Sequence, residues 1–265
     1  MVNFKKKDCY DIQDLEEIVR LLRAPGGCPW DREQTHESIR RNFLEEAYEV
    51  VEAIDEADAS HLREELGDVL LQVMFHTRME SERGGFTFSD VADGISKKLI
   101  FRHPHVFADV QVAGSAEVLT NWDQLKRQEK GQETNTATLE SVARSLPALW
   151  RAEKIQKKAA KVGFDWPDVS GAMDKLTEEF AELETAIAEQ SNIEEELGDL
   201  LFSAVNVARF VGKDPEVALQ RACDKFTKRF ALMEEAAGDV RMEDMTLTEL
   251  DALWNKAKGK KDMRI

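Results

Sequence analysis

The sequence predicts an all-α protein built from two tandem, duplicated helical-bundle domains. Apolar residues recur every three or four positions over long stretches that contain few Pro or Gly residues, which favours helices. No segment alternates apolar and polar residues convincingly with a period of two, as a half-buried strand would. In addition, the acidic segment 64–70 (EELGDVL) returns at 195–201 (EELGDLL) with six of its seven positions identical. This repeat indicates that one helical unit was duplicated.

Four short motifs repeat in the same order in the two halves. Besides the acidic segment, they are Glu-Glu-x-x-Glu at 45 and 178, Lys-x-x-x-Arg at 98 and 225, and Trp-x-x-x-Lys at 122 and 254. One short match has little weight, but four in the same order indicate duplication and fusion. The polar segment 129–141 has little to bury and predicts a linker. We therefore expect one domain at 1–128 and a second at 142–265.

Each half should hold its acidic residues on an antiparallel pair of helices. The first helix of each pair has apolar residues at helical spacing: Leu44, Ala47, Val51 and Ile54, then Phe180, Leu183 and Ile187. In the first half, the short polar stretch 55–61 separates this helix from the next one. Such a short connection predicts a helical hairpin.

Polar residues mark the expected helix starts. Asn192 stands where an N-cap is needed, with Glu195 three residues later as its partner in a capping box. Ser89 and the pair Asp214-Pro215 mark two further starts.

Gly67 and Gly198 occupy the same place in the two acidic segments. Glycine in the middle of a helix costs about 1 kcal/mol relative to alanine. We interpret the repeated cost as a sign of close helix approach beside the acidic residues, although a glycine merely inherited through duplication would look the same.

Composition excludes several classes of protein. The net charge of −16 argues against binding nucleic acid through a basic surface. The three cysteines are scattered and form no C-x-x-C pair, which excludes a zinc knuckle and fits a reducing cytoplasm. The apolar stretches are too short or too polar to span a bilayer, and the lysines near the N-terminus do not precede the apolar core of a signal peptide.

The acidic residues predict two metal sites made of oxygen ligands. Carboxylates three positions apart share a helix face, and four of them together are unfavourable without a cation. The expected ligands are Glu46, Glu49, Glu65 and Asp68 in the first half, and Glu179, Glu182, Glu196 and Asp199 in the second. Such ligands suit Mg²⁺, with Mn²⁺ as a plausible substitute. A di-iron site would need histidines at positions where this chain has none.

Basic and aromatic residues of both halves are candidates for binding a phosphate ligand. Lysine and arginine one turn apart suit phosphate oxygens, and tryptophan can stack on a base. The repeated candidates are Lys98, Arg102, Trp122 and Lys126 in the first half, and Lys225, Arg229, Trp254 and Lys258 in the second. Lys154, Lys158 and Trp166 belong to a basic stretch and the loop after it, and the first half has only two arginines in the corresponding stretch. A polyphosphate would therefore find more countercharge in the second half.

These motifs resemble the long, two-domain form of the MazG family of nucleoside triphosphate pyrophosphohydrolases, an all-α group. The family pattern of Glu-Glu-x-x-Glu followed by Glu-x-x-Asp is met in both halves. Four further segments also look like MazG: GGCPWD at 26–31, RHPHVF at 102–107, RSLPAL at 144–149 and KVGFDW at 161–166. The likeness extends over nearly the whole chain.

The resemblance implies Mg²⁺-dependent hydrolysis of nucleoside triphosphates to monophosphate and pyrophosphate, in the service of nucleotide-pool housekeeping. It also implies a homodimer whose helix bundles are completed between chains. Glu45 or Glu178, the first acid of each cluster, is a candidate for the general base or for a residue that holds a ligand. Two alternatives stay open: a non-catalytic helical nucleotide sensor or scaffold, and a hydrolase of another phosphate compound, such as a phosphoribosyl or signalling nucleotide.

Overall fold

The chain divides into two compact units, residues 1–126 and 127–265. The computed structural model describes residues 4–259 apart from 113, 115, 116, 119, 120, 123, 124, 127, 128, 130, 132 and 133. Within this part every regular element is helical and no strand occurs, so the all-α prediction is confirmed. The expected domain end at residue 128 lies outside the described residues.

Six helices of the first unit are described. They are α1 (Ile12–Arg23), α2 (Pro29–Glu33), α3 (Arg40–Asp55), α4 (Ala59–Glu82), α5 (Phe88–Arg102) and α6 (Pro104–Phe107). In the core, Val19 of α1 and Ile39 pack against Met74, Phe75 and Met79 of α4. α3 also packs on α4 across a connection of three residues, which confirms the hairpin.

The second unit contains a matching hairpin. Its described helices are α7 (Asn135–Glu140), α8 (Ala148–Ala160), α9 (Val169–Glu189), α10 (Ile193–Phe210), α11 (Pro215–Ala237) and α12 (Leu247–Gly259), with a 3₁₀ turn at Met242–Asp244. α9 packs on α10, and α11 packs on α12 around Met233, Leu253 and Ala257. The segment expected to be a linker includes α7.

Two of the predicted helix starts need correction. Asn192 does precede α10, but its backbone is left-handed (φ 50°) and its side chain makes no cap hydrogen bond, so the capping box with Glu195 is wrong. α5 begins one residue before Ser89, and Thr87 caps it by accepting the backbone N–H of Asp90. Thr87 is the N-cap and Ser89 is not, because Asp90, three residues after Thr87, completes a capping box. Asp214 caps α11 as predicted.

The close approach predicted at Gly67 and Gly198 is not found within the chain. A Cβ atom at either position would meet nothing within 4 Å among the described residues. The space beside both glycines is open.

Apolar side chains of both hairpins remain exposed in the single chain. On α3, Leu44 is 53% and Ile54 56% exposed, and on α9 Phe180 is 54% and Ile187 55% exposed. The helical periodicity thus predicted the helices correctly, but these apolar side chains do not enter the core of their own unit. Separately, none of the described helices is long and apolar enough to cross a membrane.

Candidate functional site

The first acidic cluster joins the two helices of the α3–α4 hairpin. Glu46 and Glu49 of α3 and Glu65 of α4 each place a carboxylate oxygen within 4.8 Å of the others. Glu65 is buried, whereas Glu49 is exposed. The predicted fourth ligand, Asp68, is not one of these three, but its charge acts on both Glu46 and Glu65.

The carboxylates of this cluster destabilise one another. Burial raises the pKa of Glu46, and the charges of Asp68 and Glu49 raise it further. Burial also raises the pKa of Glu65, with a further contribution from Glu49. Both shifts mean that the charged forms cost free energy unless a cation is present.

The second cluster repeats this arrangement on the α9–α10 hairpin. Glu179 of α9 and Glu196 and Asp199 of α10 bring carboxylate oxygens within 4.8 Å of one another. Glu179 is only 4% exposed, and its Oε2 atom has no hydrogen-bond partner among the described residues. Glu182 is outside this group of three, yet burial and then the charge of Glu179 raise its pKa. The predicted residues are therefore neighbours in both halves, and in each half three of the four have carboxylate oxygens within 4.8 Å of one another.

Sequence reasoning missed Lys175, the cation at the second cluster. Its Nζ atom lies 2.6 Å from Glu179 Oε1 and 2.9 Å from Glu178 Oε1. These contacts raise the pKa of Lys175, the hydrogen bond to Glu179 most of all. The spacing of four residues before Glu179 on one helix was the signal that could have revealed it.

The two clusters differ in the nitrogen-containing side chain that lies beside their carboxylates. Asn42 stands four residues before Glu46, where the second half has Lys175. Conversely, His61 Nε2 lies 3.2 Å from Glu65 Oε1, and the second half has Asn192 at the corresponding position. Among the described residues a lysine therefore accompanies the second cluster, whereas the first has a histidine whose pKa is raised by its hydrogen bond to Glu56 and by the charge of Glu65.

The two candidate bases lie outside the groups of three. Glu45 Oε1 accepts a hydrogen bond from Arg41 Nε at 2.8 Å, and Glu178 is held by Lys175. Both carboxylates are exposed to solvent.

Each half also places two cations against a tryptophan. The Arg229 guanidinium lies 5.7 Å and Lys258 Nζ 5.9 Å from the ring centre of Trp254. In the first half, Arg102 and Lys126 lie 5.1 Å and 4.6 Å from the Trp122 ring. Cation–π attraction of this kind holds the charged groups in place.

The remaining basic candidates lie on α5, α8 and α11. Lys225 and Arg229 line an open cleft of about 290 Å³, whose other lining residues include Arg221, Asp224 and Lys228. Lys98 is exposed on α5, Lys154 is exposed on α8, and Lys158 of α8 is half-buried. The basic residues predicted from the sequence and the acidic cluster of the second unit are thus carried by different helices, whereas Lys175 shares α9 with Glu179.

The loop that contains Trp166 is held by specific contacts. Asp165 accepts two hydrogen bonds from Arg209 of α10, at 2.9 and 2.6 Å, and these bonds lower the pKa of Asp165. A Cβ atom at Gly171 would lie 2.2 Å from Trp166 Cδ1, so only glycine leaves room for the indole. Trp166 is nevertheless 39% exposed.

Comparison with known proteins gives consistent matches over both halves. A family model described as the MazG nucleotide pyrophosphohydrolase domain matches residues 34–107 and 169–231. A nucleoside triphosphate pyrophosphohydrolase of Escherichia coli is 46% identical over 254 residues, which cover 93% of this chain and 97% of the relative. The Thermotoga maritima nucleoside triphosphate pyrophosphohydrolase/pyrophosphatase MazG is 45% identical, covering 93% and 95%. The uncharacterized protein YabN of Bacillus subtilis is 48% identical over 94% of this chain and 52% of its own length.

Proposed function

Because this chain belongs to the MazG family of nucleotide pyrophosphohydrolases, we propose that it hydrolyses nucleoside triphosphates to monophosphate and pyrophosphate with a divalent cation. The observation that carries the proposal is the buried Oε2 atom of Glu179, which lies beside Glu196 and Asp199 and has no hydrogen-bond partner in the part of the chain that the structure describes. A buried carboxylate oxygen without a donor costs free energy that a bound cation would recover. Nucleotide-pool housekeeping is the role that we infer for this activity.

Mg²⁺ fits the donor set best, and Mn²⁺ is the expected substitute. Both clusters offer only carboxylate oxygens, which hard divalent cations prefer. In the second unit the ion would be held by Glu179, Glu182, Glu196 and Asp199. The equivalent residues of the first unit are Glu46, Glu49, Glu65 and Asp68. When bound, the cation supplies electrostatic stabilisation to phosphate oxygens.

The basic residues of the second unit bind and orient the phosphates in this proposal. Arg229 presents a planar fork that suits two phosphate oxygens, and Lys225 and Lys258 add point charges. Trp254 contacts two of these cations and so restricts their motion. Lys154, Lys158 and Trp166 extend the same role along the nucleotide. In the first unit Lys98, Arg102, Trp122 and Lys126 correspond to the repeated set.

Lys175 and Glu178 form a positioning pair beside the cluster. Lys175 already contacts the ligand Glu179, so a phosphate brought to the cluster comes within reach of its ammonium group. Glu178 holds that ammonium from the solvent side. We therefore assign Glu178, and Glu45 with Arg41 in the first unit, to holding a cation rather than to acting as general base.

A homodimer accounts for the exposed apolar stripes. Phe180 and Ile187 of α9 and Leu197 and Leu201 of α10 are each 45–55% exposed. An apolar surface of this kind on a helical hairpin favours association with another chain. Sedimentation velocity should show a dimer, and Phe180→Asp should shift it toward monomer. A wild-type chain that stays monomeric at high concentration would contradict this assignment.

Product analysis in ¹⁸O-water tests the reaction itself. Attack at the α-phosphorus places the label in the nucleoside monophosphate, and attack at the β-phosphorus places it in pyrophosphate. We expect the first result, with little activity in chelator and recovery on addition of Mg²⁺ or Mn²⁺. Inorganic phosphate as first product, or full activity in chelator, would refute the proposal.

A further inference from the structure

Two histidines of the first unit meet edge to edge. His36, in the connection between α2 and α3, and His76 of α4 have their Nδ1 atoms 2.7 Å apart. Their ring planes differ by 2° and their ring centres are 5.0 Å apart. The centre separation equals the nitrogen separation plus the two centre-to-nitrogen radii, so the rings share one plane and do not overlap. The Nδ1 lone-pair direction of each imidazole therefore points at the other.

A carboxylate fixes the proton on the far side of His36. His36 Nε2 lies 2.7 Å from Glu80 Oε1, and Arg83 lies 3.7 Å from the same carboxylate oxygen. An ionised carboxylate only accepts, so His36 must donate its Nε2–H. Neutral His36 then carries its lone pair on Nδ1, facing His76. A carboxylate bound to the distal nitrogen is the usual companion of a metal-binding imidazole.

The surrounding contacts hold both rings but leave room for solvent. Arg23 donates to the carbonyl oxygens of Asp31 at 2.5 Å and Gln34 at 3.1 Å, which fixes the chain just before His36. The Phe43 ring packs against His76 with a centre separation of 6.0 Å. The side chains of His36 and Glu80 nevertheless keep 27% and 26% of their exposure. Water can therefore reach the pair.

We propose that His36 and His76 form a second kind of metal site, which binds one Zn²⁺-like transition-metal ion between their Nδ1 atoms. Imidazole ligands suit Zn²⁺, Cu²⁺, Ni²⁺ and Co²⁺ better than Mg²⁺. Glu80 orients His36 through its Nε2–H, and water completes the coordination.

Metal binding exchanges a hydrogen bond for two coordinate bonds. Without metal, one proton lies between the two Nδ1 atoms. With metal, both atoms must offer lone pairs, so His76 gives its Nδ1 proton to water and takes one from water on Nε2; both histidines stay neutral and no net proton is released. Zn–N bonds of about 2.0–2.1 Å at a tetrahedral angle need a nitrogen separation of about 3.3 Å. The present 2.7 Å must therefore widen by about 0.6 Å, and each ring must turn by about 35° so that its lone pair points at the ion and no longer at the other nitrogen.

The site is distinct from the acidic cluster on the same helix. Glu65 and His76 are eleven positions apart on α4. At 1.5 Å per residue, this places them about 16 Å apart along the helix axis. The two sites also differ in chemistry, with carboxylate oxygens at one and imidazole nitrogens at the other.

Cobalt titration of the full chain tests the proposal. With Mg²⁺ in excess to occupy the carboxylate clusters, Co²⁺ should bind with the visible absorption bands of a tetrahedral site with nitrogen ligands. His36→Gln and His76→Gln should each abolish these bands, and Glu80→Gln should weaken binding about 10- to 100-fold. His105→Gln is the matched control, since it removes a histidine of the same unit from another place, and it should bind as wild type does.

Two results would overturn the site. One is a wild-type chain that shows no tetrahedral bands, and the other is bands that persist when His36 and His76 are both replaced. Should the variants lose their helical circular dichroism, histidine ¹⁵N spectra of the wild type decide instead. Zn²⁺ should then shift the Nδ1 resonances of these two histidines, and unchanged resonances would refute the proposal.

Discussion

Lys175→Met should destabilise the second unit in the absence of metal and have a much smaller effect in its presence. Lys175 is the only cation that the described structure places on Glu179, whose side chain is 6% exposed. Removing one partner of a fully buried ion pair costs about 3–5 kcal/mol. Lys175 itself is 35% exposed, so solvent screening reduces this to about 1–2 kcal/mol.

Thermal unfolding in chelator and in excess Mg²⁺ measures this difference. For a unit of this size, about 1–2 kcal/mol corresponds to a fall in Tm of about 3–8 °C. Excess Mg²⁺ should remove most of the fall, because the cation takes over the neutralisation of Glu179 and binding to the folded state adds stability. Arg241→Met is the control, since Arg241 and Asp244 form an exposed pair in the same unit. An equal loss of stability with and without Mg²⁺ would refute the reasoning.

Two further predictions follow from the repeat and from the histidine pair. Asp199→Ala should lower the rate of pyrophosphate release far more than Asp68→Ala. The reason is that basic residues are denser in the second half and that Lys175 has no lysine counterpart in the first. Equal losses of rate would mean that both clusters are catalytic. Burial and the charge of His36 lower the pKa of His76 in the folded chain below its usual 6.5. Between the two pKa values the unfolded chain therefore binds more protons than the folded chain. The first unit should lose stability as pH falls from about 6.5 through the folded pKa. Chemical denaturation across this pH range should show the loss, and His76→Gln should reduce it; an unchanged slope in the variant would contradict the assignment.

Much of the fold could be predicted because duplication repeats four local motifs in the same order. The hairpins and the grouping of their acids follow from helical periodicity alone, since residues three and four apart share a face. Asn192 shows where this reasoning fails. It stands in an N-cap position, but the loop between α9 and α10 closes through left-handed backbone at Gln190 and Asn192, which the sequence does not reveal.

Contacts between distant parts of the chain could not be predicted from the sequence. His36 and Glu80 are 44 positions apart, and nothing in their neighbourhoods indicates that they meet. Gly67 and Gly198 were misread for the opposite reason, because their repetition indicated a neighbour that the single chain does not supply. Lys175 could have been found from helical spacing, because it lies one turn before Glu179 on the same helix.

The lysine beside Glu179 also bears on how the protein would withstand metal starvation. A site whose carboxylates repel one another tends to open when its ion is withdrawn, and an opened hairpin exposes backbone to proteases. Lys175 serves as a built-in counterion, so the second hairpin should stay closed through such an episode and regain activity as soon as the ion returns. Among the described residues the first cluster has His61 in this place, a group that can lose its charge as pH rises where a lysine keeps it, and the first hairpin should become the earlier point of proteolytic attack.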